Sequence, residues 1–179
     1  MDDAWRTARA HDFAHHLADL RSGSYEGAVD REGKERVFVG AVDLLAPVAR
    51  DTLESFGRVM LADAGLVEDS GVYRLEDGTL LREWRLSWPG QHAAERRVGP
   101  AGPVGPIVIR AHFSGGWTHG HLGGSAVGNW PLQVLDAADA ERQAPIVWAI
   151  AEAEFHERIF ETRQPWTRVP AELLGEVST

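Results

Sequence analysis

A chain of 179 residues, 44% hydrophobic and 25% charged, is long enough for one cored domain and too apolar to be disordered throughout. Its 18 basic and 27 acidic residues leave a net charge of −9, which argues against a nucleic-acid partner bound by a broad basic face and against docking on a membrane surface. The absence of cysteine excludes disulfides and thiol chemistry, and with no signal-like start and no apolar run near the ~20 residues of a membrane span, the expected location is cytoplasmic.

Residues 2–20 read as an amphipathic helix, with Trp5, Phe13, Leu17 and Leu20 on one face. Two strands are expected over 25–30 and 35–44, around the turn Arg31-Glu32-Gly33-Lys34. Val37, Phe38, Val39 and Val42 give the second strand apolar groups on both faces, as in a central strand. Pro47 suits the first turn of a helix reaching about residue 62, with Val48, Phe56, Val59 and Met60 buried.

Residues 72–88 read as a hairpin with Asp77-Gly78 as a two-residue turn, so that residue 73 opposes 82. One face then carries Tyr73, Leu75, Leu80, Trp84, Leu86 and Trp88, and Arg82 falls on that core face. Residues 89–106 form a loop containing His92, Glu95, Arg96, Arg97 and the Gly/Pro-rich run 99–106, which is read as an insertion or lid. A second hairpin spans 107–122 and turns at Gly115-Gly116, and a further strand covers 130–135. Asp136 caps the next helix with Asp139 in its first turn, and Pro145 splits that helix or begins another to about residue 161.

The expected fold is therefore α+β: a curved antiparallel sheet of about six to seven strands, with N-terminal, middle and long C-terminal helices packed on it around a cone- or half-barrel-like ligand cavity. Residues 1–163 make a single domain and 164–179 a C-terminal tail.

The second hairpin carries the chemistry. With Ser114 opposite Trp117 and His112 opposite His119, Arg110 opposes His121, and Arg110, His112, Ser114, Trp117, His119 and His121 share one face. Ile109, Ala111, Phe113, Thr118 and Leu122 take the core face. Three neighbouring imidazoles admit three readings: His112, His119 and His121 as ligands of a transition metal, as acid–base groups, or as the solvated outside of the sheet. On the last helix, Glu152 lies in the stripe of Trp148, Phe155 and Ile159, with His156 on its edge. Glu152 reads either as a second proton carrier with a raised pKa or as a marginal residue paired with an arginine, Arg82 being one candidate. Arg82 or Arg110 is alternatively positioned to hold a substrate carboxylate. His11 and His15 are spaced i, i+4 but fall on the solvated side of their helix. The run Gly123-Gly124-Ser125 lacks the Gly-Lys-Ser/Thr of a phosphate loop and opens no helix, so no nucleotide cofactor is expected.

The leading expectation is a small-molecule enzyme of the lyase, isomerase or cyclase type. It would act on an apolar or aromatic metabolite, anionic if an arginine engages it. His112, His119, His121 and Glu152 would be catalytic. Arg82, Arg110, Trp84, Trp117, Trp148 and Phe155 would bind substrate in the cavity between sheet and helices. The cofactor is either none or a histidine-ligated transition metal. The alternatives are a non-catalytic small-ligand carrier or sensor with the same cavity, and a structural partner subunit, with a homodimer left open.

Overall fold

The computed structural model of the chain describes residues 3–89, 91, 105–125 and 128–162. The elements run α1 (Asp3–Ser22), α2 (Arg31–Met60), β1 (Leu66–Asp69), β2 (Tyr73–Arg74), β3 (Leu80–Ser87), β4 (Ile107–Phe113), β5 (His121–Gly123), β6 (Trp130–Pro131), α3 (Ala137–Arg142) and α4 (Ala144–Thr162). Most of the expected loop over 89–106, including His92 and Arg96, lies outside the described residues, as do the expected tail and the side chains of Trp5 and Ile159.

Where a strand over 35–44 and a separate helix from Pro47 were expected, one long helix forms, and the strand expected over 25–30 is a turn closed by a single Tyr25–Ala28 bridge. The Asp30 carboxylate accepts a 2.7 Å hydrogen bond from the Gly33 N–H, capping α2 at its start. From there Phe38, Ala41, Val42, Leu45, Ala49, Leu53 and Phe56 recur every three or four residues and are all buried. That stripe outweighs the strand-favouring run Val37-Phe38-Val39 and continues through Pro47. Pro47 and Asp43 are both exposed, so the carbonyl that loses its helical donor lies on the water side. Removal of the cap tests this start directly. Asp30→Ala is expected to lower stability by about 1 kcal/mol in urea unfolding; a strand here would show no such loss.

The sheet is open, curved and antiparallel, in the order β1-β3-β4-β5-β6, with β2 also paired to β3. Along β3, β1 and β2 are two pieces of one edge. Asp69 pairs with Trp84, whereas Tyr73 pairs with Leu81, so one extra residue intervenes at the Ser70–Val72 break. The β2–β3 turn is also longer than the expected two residues. Leu75 N–H bonds the Thr79 carbonyl, Gly78 N–H bonds the Leu75 carbonyl, and Gly78 sits at φ +80°. Residue 73 therefore opposes 81 rather than 82. Tyr73 moves to the face of Glu83, to which its hydroxyl donates at 3.4 Å.

On β3 and β4 the alternation holds. Leu80, Trp84, Leu86, Ile107, Ile109, Ala111 and Phe113 face the helices, and α2 and α4 close over them. That space is filled: Phe38, Leu45, Phe56, Trp84, Ile109, Val147 and Ile150 are fully buried in one core. Two smaller expectations shift. β6 ends at Pro131, well short of 135, and α1 turns its polar side inward: His16 and Asp19 are buried while Phe13, Leu17 and Leu20 are exposed. Asp136 caps α3 through the Asp139 N–H, and α4 begins at Ala144, beside Pro145. No helix among the described residues is long and apolar enough to cross a membrane.

Candidate functional site

Strand alternation places Arg110, His112 and His121 on the sheet face opposite α2 and α4. The observed register pairs His112 with His121 and Arg110 with Gly123, two residues from the expected pairing with His119 and His121. A shift of two preserves the face, so the constellation survives. His119 lies before β5, in the longer connection. Its neighbour Gly120 crosses close over α2, where a Cβ would stand 2.7 Å from the Phe38 ring and 3.1 Å from the Tyr25 hydroxyl. Tyr25 is itself fixed by a 2.6 Å bond to the Leu132 carbonyl.

The result is a chain of rings. Ring centroids are 4.1 Å apart for His16 and His119, 4.4 Å for His119 and His121, and 5.8 Å for His121 and His112. Trp117, 38% exposed, covers this group at 4.1 Å from His121 and 5.1 Å from His112. His16 was not singled out from sequence; three residues after Phe13 and four before Leu20, it stands at the edge of the apolar stripe, on the side that turns inward with Asp19.

Burial lowers the pKa of every histidine in the group. His121 is pushed down to about 3 by burial and then by His119, His112 and His16. His119 is pushed down to about 4 by burial and then by His16, against an opposing pull from Asp19. Burial and then Arg110 lower His112, while burial lowers His16 despite Asp19. All four are neutral imidazoles at pH 7. The Nδ1 atoms of His16, His112, His119 and His121, and Nε2 of His119, are buried without hydrogen-bond partners. Such groups are few in native proteins, and each calls for an explanation.

His112 also lines a pocket of about 630 Å³. Leu81, Arg110 and His112 reach it from the sheet, Asp77 and Thr79 from the β2–β3 turn, and Gly124, Ser125 and Asn129 from the segment before β6. Arg110 is held in place by Glu83, with Nε donating to Oε1 at 2.9 Å. Burial alone would raise the Glu83 carboxyl, but bonds from Arg85 and Arg110 outweigh it and the net shift is downward. Behind the pocket, Ser125 bonds Glu154, a fully buried carboxylate paired with Arg158 at 2.8 Å. Gly124 permits this approach, since a Cβ there would meet the Glu154 carboxylate at 2.5 Å.

The other residues expected at the site stand elsewhere. Trp84 and Phe155 belong to the core, and Trp148 packs on Phe56 at 5.1 Å. Arg82 is engaged by Asp69 at 2.9 Å and Asp43 at 2.7 Å, so it pairs with neither Glu152 nor the pocket. Glu152 is exposed on α4, because the buried stripe runs through Val147, Ile150, Ala151 and Glu154. The i, i+4 spacing of Glu154 and Arg158 was the available signal for that pair. His112, His119 and His121 do not bring their ligand nitrogens within 4.8 Å of one another; among the described residues His15, Asp19 and Glu26 do.

The chain matches no known family model, no curated protein and no solved structure.

Proposed function

We propose that the protein is a small-molecule enzyme of the lyase or isomerase type, acting on a small anionic metabolite in the pocket beside His112. The observation that carries this reading is the convergence of Arg110 and a neutral, partly unsatisfied His112 in one pocket of about 630 Å³. That size is within the range of metabolite sites. The lining favours a polar substrate over the aromatic one expected from sequence, since Asp77, Thr79, Ser114, Ser125 and Asn129 all reach it.

In this reading Arg110 orients a carboxylate or phosphate, its guanidinium prepositioned by Glu83. His112 accepts a proton from carbon next to a carbonyl or carboxylate group. The C–H electron pair stays on the substrate as an enolate, whose charge Arg110 offsets. In an α-hydroxy carbonyl substrate the proton then returns to the former carbonyl carbon while the hydroxyl proton passes to the enolate oxygen, which isomerises it; where a hydroxyl lies β to the carbonyl, the enolate expels it and His112 returns the proton to it, so that it departs as water. The lowered pKa keeps His112 unprotonated and competent as a base at neutral pH. His119, His121 and Trp117 hold the His112 ring in place and are positioning residues.

Ligand titration tests the binding half. Small hydroxy acids, keto acids and phosphorylated acids are titrated while the His112 imidazole signals are followed by NMR. At least one class should shift them saturably, and Arg110→Ala should weaken that binding at least tenfold. If no anion perturbs His112, or Arg110→Ala leaves affinity unchanged, the pocket is not the substrate site.

A further inference from the structure

His15 and Asp19 stand one turn apart on the same face of α1. The chain then reverses through Gly23 at φ +68° and a short turn in which Tyr25 and Ala28 exchange backbone hydrogen bonds. That turn carries Glu26 back onto the end of α1. Glu26 adopts φ +50°, a left-handed conformation that a non-glycine residue holds only where its surroundings require it.

The ligand atoms of His15, Asp19 and Glu26 all lie within 4.8 Å of one another. His15 Nε2 is 3.3 Å from Glu26 Oε2. The Glu26 side chain is only 9% exposed, and its other oxygen, Oε1, is buried with no hydrogen-bond partner. Asp19 is oriented from outside: Ser24 Oγ donates to Oδ1 at 2.7 Å and the Glu26 N–H donates to Oδ2 at 2.9 Å. Fixing a carboxylate in this way is what outer-sphere partners of metal ligands do.

We propose that His15, Asp19 and Glu26 form a site for a divalent transition-metal cation, with Zn²⁺ the best-matched ion, that staples the end of α1 to the turn leading into α2. An imidazole with two carboxylates suits zinc, whereas magnesium and calcium prefer all-oxygen shells. Zinc bonds of roughly 2.0–2.2 Å place tetrahedral ligand atoms roughly 3.4 Å apart, so the trio closes by a small rotation of its side chains. His15 is 41% exposed, which leaves a route for the ion and room for water as a further ligand. The next residue, His16, packs edge-on against His119, so an ion here also seats α1 against the histidine cluster. The site is independent of the substrate reading, since none of its three residues lines the pocket at His112.

Calorimetry on tag-free, metal-stripped full-length protein tests this, with Zn²⁺ as titrant and Mg²⁺ and Ca²⁺ as controls. One equivalent of Zn²⁺ should bind and raise the melting temperature, and equal Mg²⁺ or Ca²⁺ should do neither. Glu26→Gln and His15→Ala should each weaken zinc binding at least tenfold, while His11→Ala and His121→Phe should leave it unchanged. Co²⁺ absorption spectra of the same variants report the ligand set without reference to any activity. Failure to take up zinc would overturn the proposal. So would stoichiometric uptake that survives Glu26→Gln and His15→Ala, which would place the ion elsewhere, and loss of uptake in His121→Phe would place it in the histidine cluster. If His15→Ala fails to fold, the conservative Glu26→Gln decides alone.

Discussion

Between pH 6 and pH 4.5 the unfolding free energy should fall by roughly 2.5 kcal/mol per pH unit, driven mainly by His119 and His121. Both have folded pKa values, about 4 and about 3, far below the 6.5 of an unfolded histidine. Only about a unit above 6.5 are both states neutral, so that these residues contribute almost no slope there. Below it, the unfolded chain binds two protons that the folded chain refuses, so acid favours unfolding. The loss levels off only as pH passes the folded values. His112 and His16 add to it in the same direction. Glu35, held at about 2 by Arg74 and Arg31 despite some burial, extends the loss below pH 4.5, where unfolded carboxylates protonate first. Glu26, raised by burial, opposes it: its contribution is present at low pH and is lost as pH rises through its folded value. The groups facing the two histidines are Lys34 on α2, His16 and Asp19 on α1, and His112 on β4. Urea unfolding at pH 7, 6, 5 and 4.5 reads the slope. His121→Phe should reduce it by roughly 1.4 kcal/mol per unit, one proton's worth. A flat profile in the wild type, or an unchanged slope in the variant, would contradict the buried, neutral cluster.

Trp84→Ala should cost about 3–5 kcal/mol, the cost of emptying a large site in a packed core. Trp84 is fully buried at the centre of β3, with the Arg82 guanidinium 5.5 Å from its ring and α2 packed over its face of the sheet. For a domain of this size that is roughly a 6–20 °C fall in melting temperature. The variant also separates two roles for this residue. A pocket wall would lose ligand affinity and keep most of its stability. A core residue should lose stability first, with affinity for small anions retained wherever the protein remains folded. Scanning calorimetry with a parallel ligand titration distinguishes them.

Much of the sheet was legible because alternation is a local property. Ile109, Ala111, Phe113 and Leu122 face the core as their spacing requires, and Arg110, His112 and His121 face away. The register was less so. An error of two residues in the second hairpin left every face correct, whereas an error of one in the first moved Tyr73 across the sheet. α2 was misread because Val37–Val39 favours a strand locally and Pro47 resembles a helix start. The deciding information, a stripe continuing from Phe38 to Phe56, spans both. At the site, the histidines and Trp117 came from one segment and were found. His16, Asn129 and Asp77 reach the cluster or pocket from α1, the β6 approach and the β2–β3 turn. Only tertiary packing sets those distances. Glu152 falls in the stripe only when Trp148 and Phe155 are taken to define it. Trp148 is only half-buried, and the stripe centres instead on Val147, Ile150 and Ala151, which turns Glu154 inward.

In the proposed reaction His112 moves a proton on an anion held at Arg110. The most direct measurement is deuterium incorporation from D₂O into carbon-bound positions of the acids that bind, followed by proton NMR at pD near 7. The wild type should exchange at least one of them at a rate proportional to enzyme. His112→Asn should slow that exchange by about 10²–10⁴, the usual worth of a general base, with the fold intact. An acid that binds at Arg110 yet exchanges no faster than in buffer, or an exchange rate that survives His112→Asn, would contradict the account.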